Sequence, residues 1–156
     1  MLRPYKGWVR FGYDSRRRMK RADLPDDVRR FILTSVPSVP YLEAILLLRT
    51  EPDAAWEVRQ VAGRLYVGEK QAAELLAALT EAGIAGRVDQ AVNQTDEGQG
   101  EVALFRFAPA TAELRELLDA LAQTYSANLV GVTDLIHSRI DKRAQQFADA
   151  FRFRKE

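Results

Sequence analysis

The 156-residue chain contains no cysteine. Disulfide frameworks, thiolate nucleophiles and thiolate metal sites are thereby excluded, and nothing in the sequence points to an oxidising compartment. Histidine occurs once, as His137. One imidazole and no thiolate leave only carboxylates as metal ligands, so no metal site is expected. Asp134, His137 and Ser138 lie too close along one helical stretch to converge on a single carbonyl, which removes a serine-type triad. His137 reads as a partly exposed helix residue. A glycine-rich phosphate cradle is missing too, because Gly98-Gln99-Gly100 lies in a polar stretch rather than between a strand and a helix. No apolar run reaches the roughly 18 residues that a membrane span requires. The early cations Arg3, Lys6 and Arg10 have no apolar segment behind them of the kind a secretory signal carries. The expectation is a cytoplasmic protein without catalytic centre, cofactor or membrane partner.

What is present is ordinary globular material, 47% hydrophobic and 29% charged, in a chain long enough to bury a sizeable core. The net charge of +1 hides a gradient. Residues 1–30 hold ten basic residues against four acids, residues 31–110 six against eleven, and residues 111–156 seven against seven. Partner choice follows such local fields rather than the total. Gly7, Gly12 and Arg16-Arg17-Arg18 interrupt any periodicity, so residues 1–23 are expected to be a poorly structured basic segment. Two readings of it stay open. It is a basic arm that touches phosphates, or, since Met19-Lys20-Arg21 also reads as a start, residues 1–18 are upstream sequence.

Asp23-Leu24-Pro25-Asp26-Asp27 is a helix-start signature, with proline and acids where the first turn favours them. The helix continues through Val28, Phe31 and Ile32 and is ended by the prolines of Val36-Pro37-Ser38-Val39-Pro40. Tyr41 to Arg49 is apolar nearly all round, which predicts a buried helix. Glu51-Pro52-Asp53 closes it. A helix from about Ala54 to Tyr66 follows, with Trp56, Val58, Val61, Ala62 and Leu65 inward. Val67-Gly68-Glu69 is a tight turn in which Gly68 is expected to take a conformation other residues resist. Lys70 to Ala82 is the next helix, with Ala72, Ala73, Leu75, Leu76 and Leu79 inward and Gly83 ending it. The period then changes to two. Ile84 to Val92 and Glu101 to Ala108 read as a hairpin around a polar tip, with Val102, Leu104 and Arg106 on one face and Ala103, Phe105 and Phe107 on the other. From about Thr111 to Ile140 the leucines keep a near-heptad seam, which predicts one helix of roughly 40 Å. In it Leu129 and Ile136 widen the apolar stripe, and Asn128 is either a buried residue setting dimer register or an exposed one. Phe147 and Phe151 are expected to dock on the helices, with a solvated end beyond; interleaved with Arg152, Arg154 and Lys155, they could instead form a binding surface.

Val58-x-x-Val61-Ala62-x-x-Leu65-x-Val67-Gly68, followed by Ala72-x-x-Leu75-Leu76-x-x-Leu79-x-x-Ala82-Gly83-Ile84, resembles the helix-turn-helix of winged-helix bacterial transcription regulators over about residues 40–108. Ala62 is small where the helices cross, and the three leucines bury the back of the second helix. With a long C-terminal helix the layout is similar to the MarR-like and PadR-like groups. The resemblance implies an α+β, mostly helical fold: a winged helix-turn-helix domain over about 24–108 and a C-terminal helical arm over 109–156 that builds a two-fold homodimer. It further implies double-stranded DNA as partner, with Lys70 and Gln71 reading bases and Arg59, Arg64 and Arg87 contacting phosphates.

The charges depart from that pattern. The front of the second motif helix carries Glu69, Glu74 and Glu81 against Lys70, and the hairpin tip adds Asp96, Glu97 and Glu101. Phosphates would be repelled there. The alternative expectation is therefore an adaptor whose acidic winged helix docks a protein partner. Trp56 and Tyr66 read as core residues, or as the lining of an effector pocket.

Overall fold

The computed structural model describes residues 24–88 and 102–152. The expected basic segment over 1–23, the hairpin tip with Asp96, Glu97 and Glu101, and the end with Phe153, Arg154 and Lys155 lie outside the described residues.

Helix α1 (Asp26–Ser35) starts behind Pro25 and carries Asp26 and Asp27 in its first turn, at the positive end of its dipole. It buries Val28 and Ile32, and Val36, extended before Pro37, ends it. Helix α2 (Val39–Thr50) begins two residues earlier than the apolar run indicates. Ser38 caps it by accepting from the Tyr41 N–H at 3.3 Å, and Pro40 fits the first turn, where a missing N–H costs nothing. Its buried residues Tyr41, Leu42, Ala44, Ile45 and Leu48 agree with the expected buried helix.

The helix expected from Ala54 starts instead at Val58. Trp56–Glu57 form strand β1, which pairs antiparallel with Phe105 and Leu104. Helix α3 (Val58–Leu65) then opens with Gln60 Oε1 accepting from the Glu57 N–H at 2.9 Å. The hairpin is β2 (Ala85–Val88) and β3 (Leu104–Phe107), and the sheet order is β1-β3-β2. β3 thus has a partner on each side, and the first strand is a two-residue stub too short to show a period. Within β3, Leu104 and Phe107 are buried and Arg106 is exposed; Val102 precedes the strand and is also exposed.

Between α3 and α4 (Glu69–Glu81) the left-handed residue is Tyr66, with φ 56° and ψ 40°, and not Gly68. Gly68 has φ −69° and ψ 154°, and a Cβ there would meet open space. The reason is geometric. The Val67 N–H reaches back to the Ala62 carbonyl at 3.1 Å, and that bond requires the reversal one residue earlier. At the other end of α4 the expectation is met. Gly83 (φ 71°) follows Ala82, with Ile84 N–H on the Leu79 carbonyl at 2.9 Å and Gly83 N–H on Thr80 at 3.1 Å. The Gly83 carbonyl accepts from Ala110 N–H and that of Ile84 from Ala108 N–H, which ties the exit of β3 to the entry of β2.

The single helix expected over 111–140 is two. α5 (Ala112–Ala127) ends at Asn128 (φ −146°, ψ 62°), and α6 (Leu129–Arg152) runs on for 24 residues, about 36 Å. Asn128 is neither a seam residue nor a plain exposed one. Its Oδ1 accepts from the Gly131 N–H at 2.9 Å and caps α6. The break turns Leu129, expected in the apolar stripe, out to solvent at 52% exposure. Phe147 and Phe151 do not dock on the protomer either. They are 67% and 56% exposed and pair edge-to-face at 4.8 Å.

One apolar cluster joins α1 through Val28, Ile32 and Val36, α2, the back of α4, Phe107, and α5 and α6 through Leu118, Leu121, Val132, Leu135 and Ile136. Arg49 Nε bonds Asp119 Oδ1 at 2.7 Å between α2 and α5. Burial, and then the Glu43 carboxylate, raise the Tyr125 hydroxyl pKa; burial alone raises that of Tyr41. Among the described residues no single helix is long and apolar enough to cross a membrane.

Candidate nucleic-acid interface

Helices α3 and α4 pack directly against each other, and α4 also packs on α2 and β2. Val61 and Ala62 are buried where α3 meets α4, and Ala72, Leu75, Leu76 and Leu79 bury the back of α4. That leaves a front formed by Glu69, Lys70, Gln71, Ala73, Glu74, Ala77 and Glu81, all exposed. Ala73, expected to point inward, belongs to this front because the buried stripe is narrower than the apolar pattern: positions 72, 75, 76 and 79 fill it. The fold is a winged helix-turn-helix: two helices crossing at a tight corner, followed by a β-ribbon.

The residues expected to contact nucleic acid, Lys70, Gln71, Arg59, Arg64 and Arg87, are each exposed. Lys70 and Gln71 occupy the first turn of α4. Arg59 of α3 lies 3.9 Å from Glu69 Oε1, both side chains mostly solvent-exposed, so this pair contributes little to stability but lowers the local positive field. Arg64 is placed differently: its guanidinium carbon lies 5.5 Å from the centroid of the Trp56 ring. Trp56 is indeed a core residue, 7% exposed, although on a strand rather than a helix, and its buried Nε1 has no hydrogen-bond partner among the described residues. The sheet register puts Trp56, Phe105 and Arg87 in one row across the three strands, on one face. Arg64 thus lies over the Trp56 ring, and Arg87 is the cross-strand neighbour of Phe105 in the same row. The ring quadrupole attracts the Arg64 cation and restrains a long side chain that would otherwise be mobile.

Two exposed residues were missed in the sequence. Arg106 pairs with Gly86 and lies on the opposite sheet face from Arg87. Its signal was the alternation of β3, which sets it against Phe105 and Phe107. Tyr66, expected in the core, is 96% exposed at the corner before α4. Lys70, Arg87 and Arg106 have no ion pair among the described residues. The acids Glu69, Glu74 and Glu81 remain on the front of α4, so a phosphate approaching that helix meets three carboxylates and one ammonium. His137 is exposed on α6, and no cluster of three metal-ligating side chains occurs among the described residues.

No family model matches the chain, and no curated protein matches its sequence. Among solved structures, it is similar to a possible transcriptional regulator from Methanosarcina mazei Go1, at 18% identity and TM-score 0.46, over 66% of this chain and 80% of that one. It is similar to the PcaV transcriptional regulator from Streptomyces coelicolor in complex with its natural ligand, at 17% identity and TM-score 0.46, over 81% and 80% of the two chains. It is also similar to the heme sensor protein PefR from Streptococcus agalactiae, at 14% identity and TM-score 0.47, over 80% and 82%. Likeness at this level carries no weight for function, and the winged helix-turn-helix assignment stands on the geometry of α3, α4 and the sheet.

Proposed function

We propose that the chain is a transcriptional regulator that binds double-stranded DNA as a homodimer through its winged helix-turn-helix. The observation that carries this reading is the placement of exposed cations on both neighbours of α4. Arg59 and Arg64 stand on α3 and Arg87 on the ribbon, and Lys70 and Gln71 lie exposed in the first turn of α4. In this reading Lys70 and Gln71 reach base edges, and the arginines position the head on phosphates. The exposed stripe of Ile140, Phe147 and Phe151 on α6 supports a C-terminal arm that pairs with its counterpart in a second copy.

The test is fluorescence anisotropy of the full chain on a mixed-sequence duplex of roughly 30 base pairs, long enough for two half-sites one helical turn apart. Affinity is expected to fall steeply with salt, log K losing about 0.9 per neutralised phosphate for each unit of log salt. Absence of binding at low salt overturns the reading. A second reading is favoured by one observation, the exposed Glu69, Glu74 and Glu81 on the front of α4: an adaptor that docks a basic protein surface on its acidic helix.

A further inference from the structure

Tyr66 stands in a left-handed backbone conformation, φ 56° and ψ 40°, the only positive-φ residue other than glycine among the described residues. Such positions disfavour bulky L-residues, because Cβ crowds the following carbonyl, and glycine or asparagine occupies them at lower cost. A side chain normally offsets that cost by packing, but Tyr66 is 96% exposed. Its ring adds nothing to the core, and its hydroxyl has no hydrogen bond among the described residues. The folded protomer thus gives this aromatic neither a packing partner nor a side-chain hydrogen bond among the described residues.

We infer that Tyr66 is a contact residue for the sugar–phosphate backbone of DNA, its hydroxyl donating to a phosphate oxygen beside the groove that α4 enters. The inference rests on the DNA-binding reading above. Tyr66 is the C-cap of α3, two residues before Gly68 and three before Glu69 opens α4, in the corner between the two motif helices. A neutral donor also suits this front. Its acids weaken contacts that depend on net positive charge, whereas a phenolic hydroxyl bonds phosphate without adding a cation. A contact of this kind leaves a signature: it adds affinity without releasing counterions, so it shifts the salt plot without changing its slope.

The full chain and the variants Y66F and Y66N are compared on the mixed-sequence duplex across a salt series, with Tm recorded for each. Y66F is expected to bind about fivefold more weakly than the parent at every salt concentration, with an unchanged slope. Y66N is expected to bind at least as weakly, with Tm equal to or above the parent's, because asparagine tolerates the left-handed conformation. Parent and Y66F affinities that coincide, with the parent binding well, overturn the contact alone and leave a protein as the partner of this side chain. A parent that fails to bind duplex at low salt overturns the contact together with the DNA reading. A Y66N chain with a clearly lowered Tm overturns the argument from strain and makes Tyr66 a structural residue.

Discussion

Arg139, near the middle of α6, donates through Nη1 to the Val36 carbonyl at 2.8 Å, at the open end of α1. Longer contacts of 3.5 Å reach the carbonyls of Ile32 and Thr34. Helix α1 has no basic residue in its own last turn, so its carbonyls are satisfied by a cation 103 positions away in the sequence. Partial burial, and then the neighbouring Arg143 charge, lower the Arg139 pKa, yet a guanidinium stays charged at any ordinary pH. Arg139→Met keeps the stem and removes the donors. It is expected to lose about 1–3 kcal/mol, because hydrogen bonds from a charged donor are worth about that much, and to lower Tm by about 2–10 °C. Arg139→Lys should recover only part, since an ammonium lacks the planar fork. A thermal melt identical to the parent's in Arg139→Met would remove the clamp from the account.

Asn128 and Gly131 make a coupled pair. A Cβ on Gly131 would lie 2.5 Å from Asn128 Nδ2 and 2.7 Å from Oδ1, so alanine there displaces the side chain that caps α6. In most helices Gly→Ala stabilises by up to about 1 kcal/mol. Here the gain is offset by a lost cap worth about 0.5–2 kcal/mol. Gly131→Ala is expected to be neutral or destabilising in the parent and stabilising in an Asn128→Ala background. A double-mutant cycle by denaturant unfolding measures this coupling, and strict additivity would contradict it.

The acids on α4 separate the two functional readings. Replacing Glu69, Glu74 and Glu81 together by Gln removes three charges from an exposed face and leaves the buried leucines untouched. If DNA is the partner, duplex affinity should rise about threefold at low salt and lose that advantage as salt screens it. If a basic protein is the partner, the same variant should lose that protein and gain nothing on DNA. Anisotropy of the triple variant against the parent reads the difference.

Phe147 and Phe151 test the dimer arm. Both are mostly exposed in the protomer, so its own core does not depend on them. Changing both to Ser is expected to leave helix content unchanged by circular dichroism and to halve the mass in sedimentation equilibrium. A parent that sediments as a monomer, or a variant that remains dimeric, would take the arm out of the interface.

Much of the motif was legible because it is local. Proline and acids marked α1, apolar residues all round marked α2, and Leu75, Leu76 and Leu79 marked the back of α4 at a spacing that no strand would produce. The positions of Lys70, Gln71, Arg59 and Arg87 on exposed surface followed from the same periods. Other features left no comparable trace. Trp56–Glu57 is too short to show alternation, and the leucine seam of α5 and α6 stays nearly in phase across Asn128, so the break is invisible to periodicity. Tyr66 looked like core because tyrosine in an apolar stretch usually is.

Chain chemistry alone was enough to place α1, α2 and α4 to within a residue or two, to turn Leu75, Leu76 and Leu79 inward, and to end α4 at Gly83, since these depend on neighbours within a turn or two. Long-range packing settled the remainder. β1 exists because β3 offers it an edge, Arg64 is restrained because Trp56 lies beneath it, and α1 is closed by Arg139 from the far end of the chain. Hydrogen-bonding groups and rings of this kind acquire partners once the core has brought distant segments together, and no window of sequence contains both halves of such a contact.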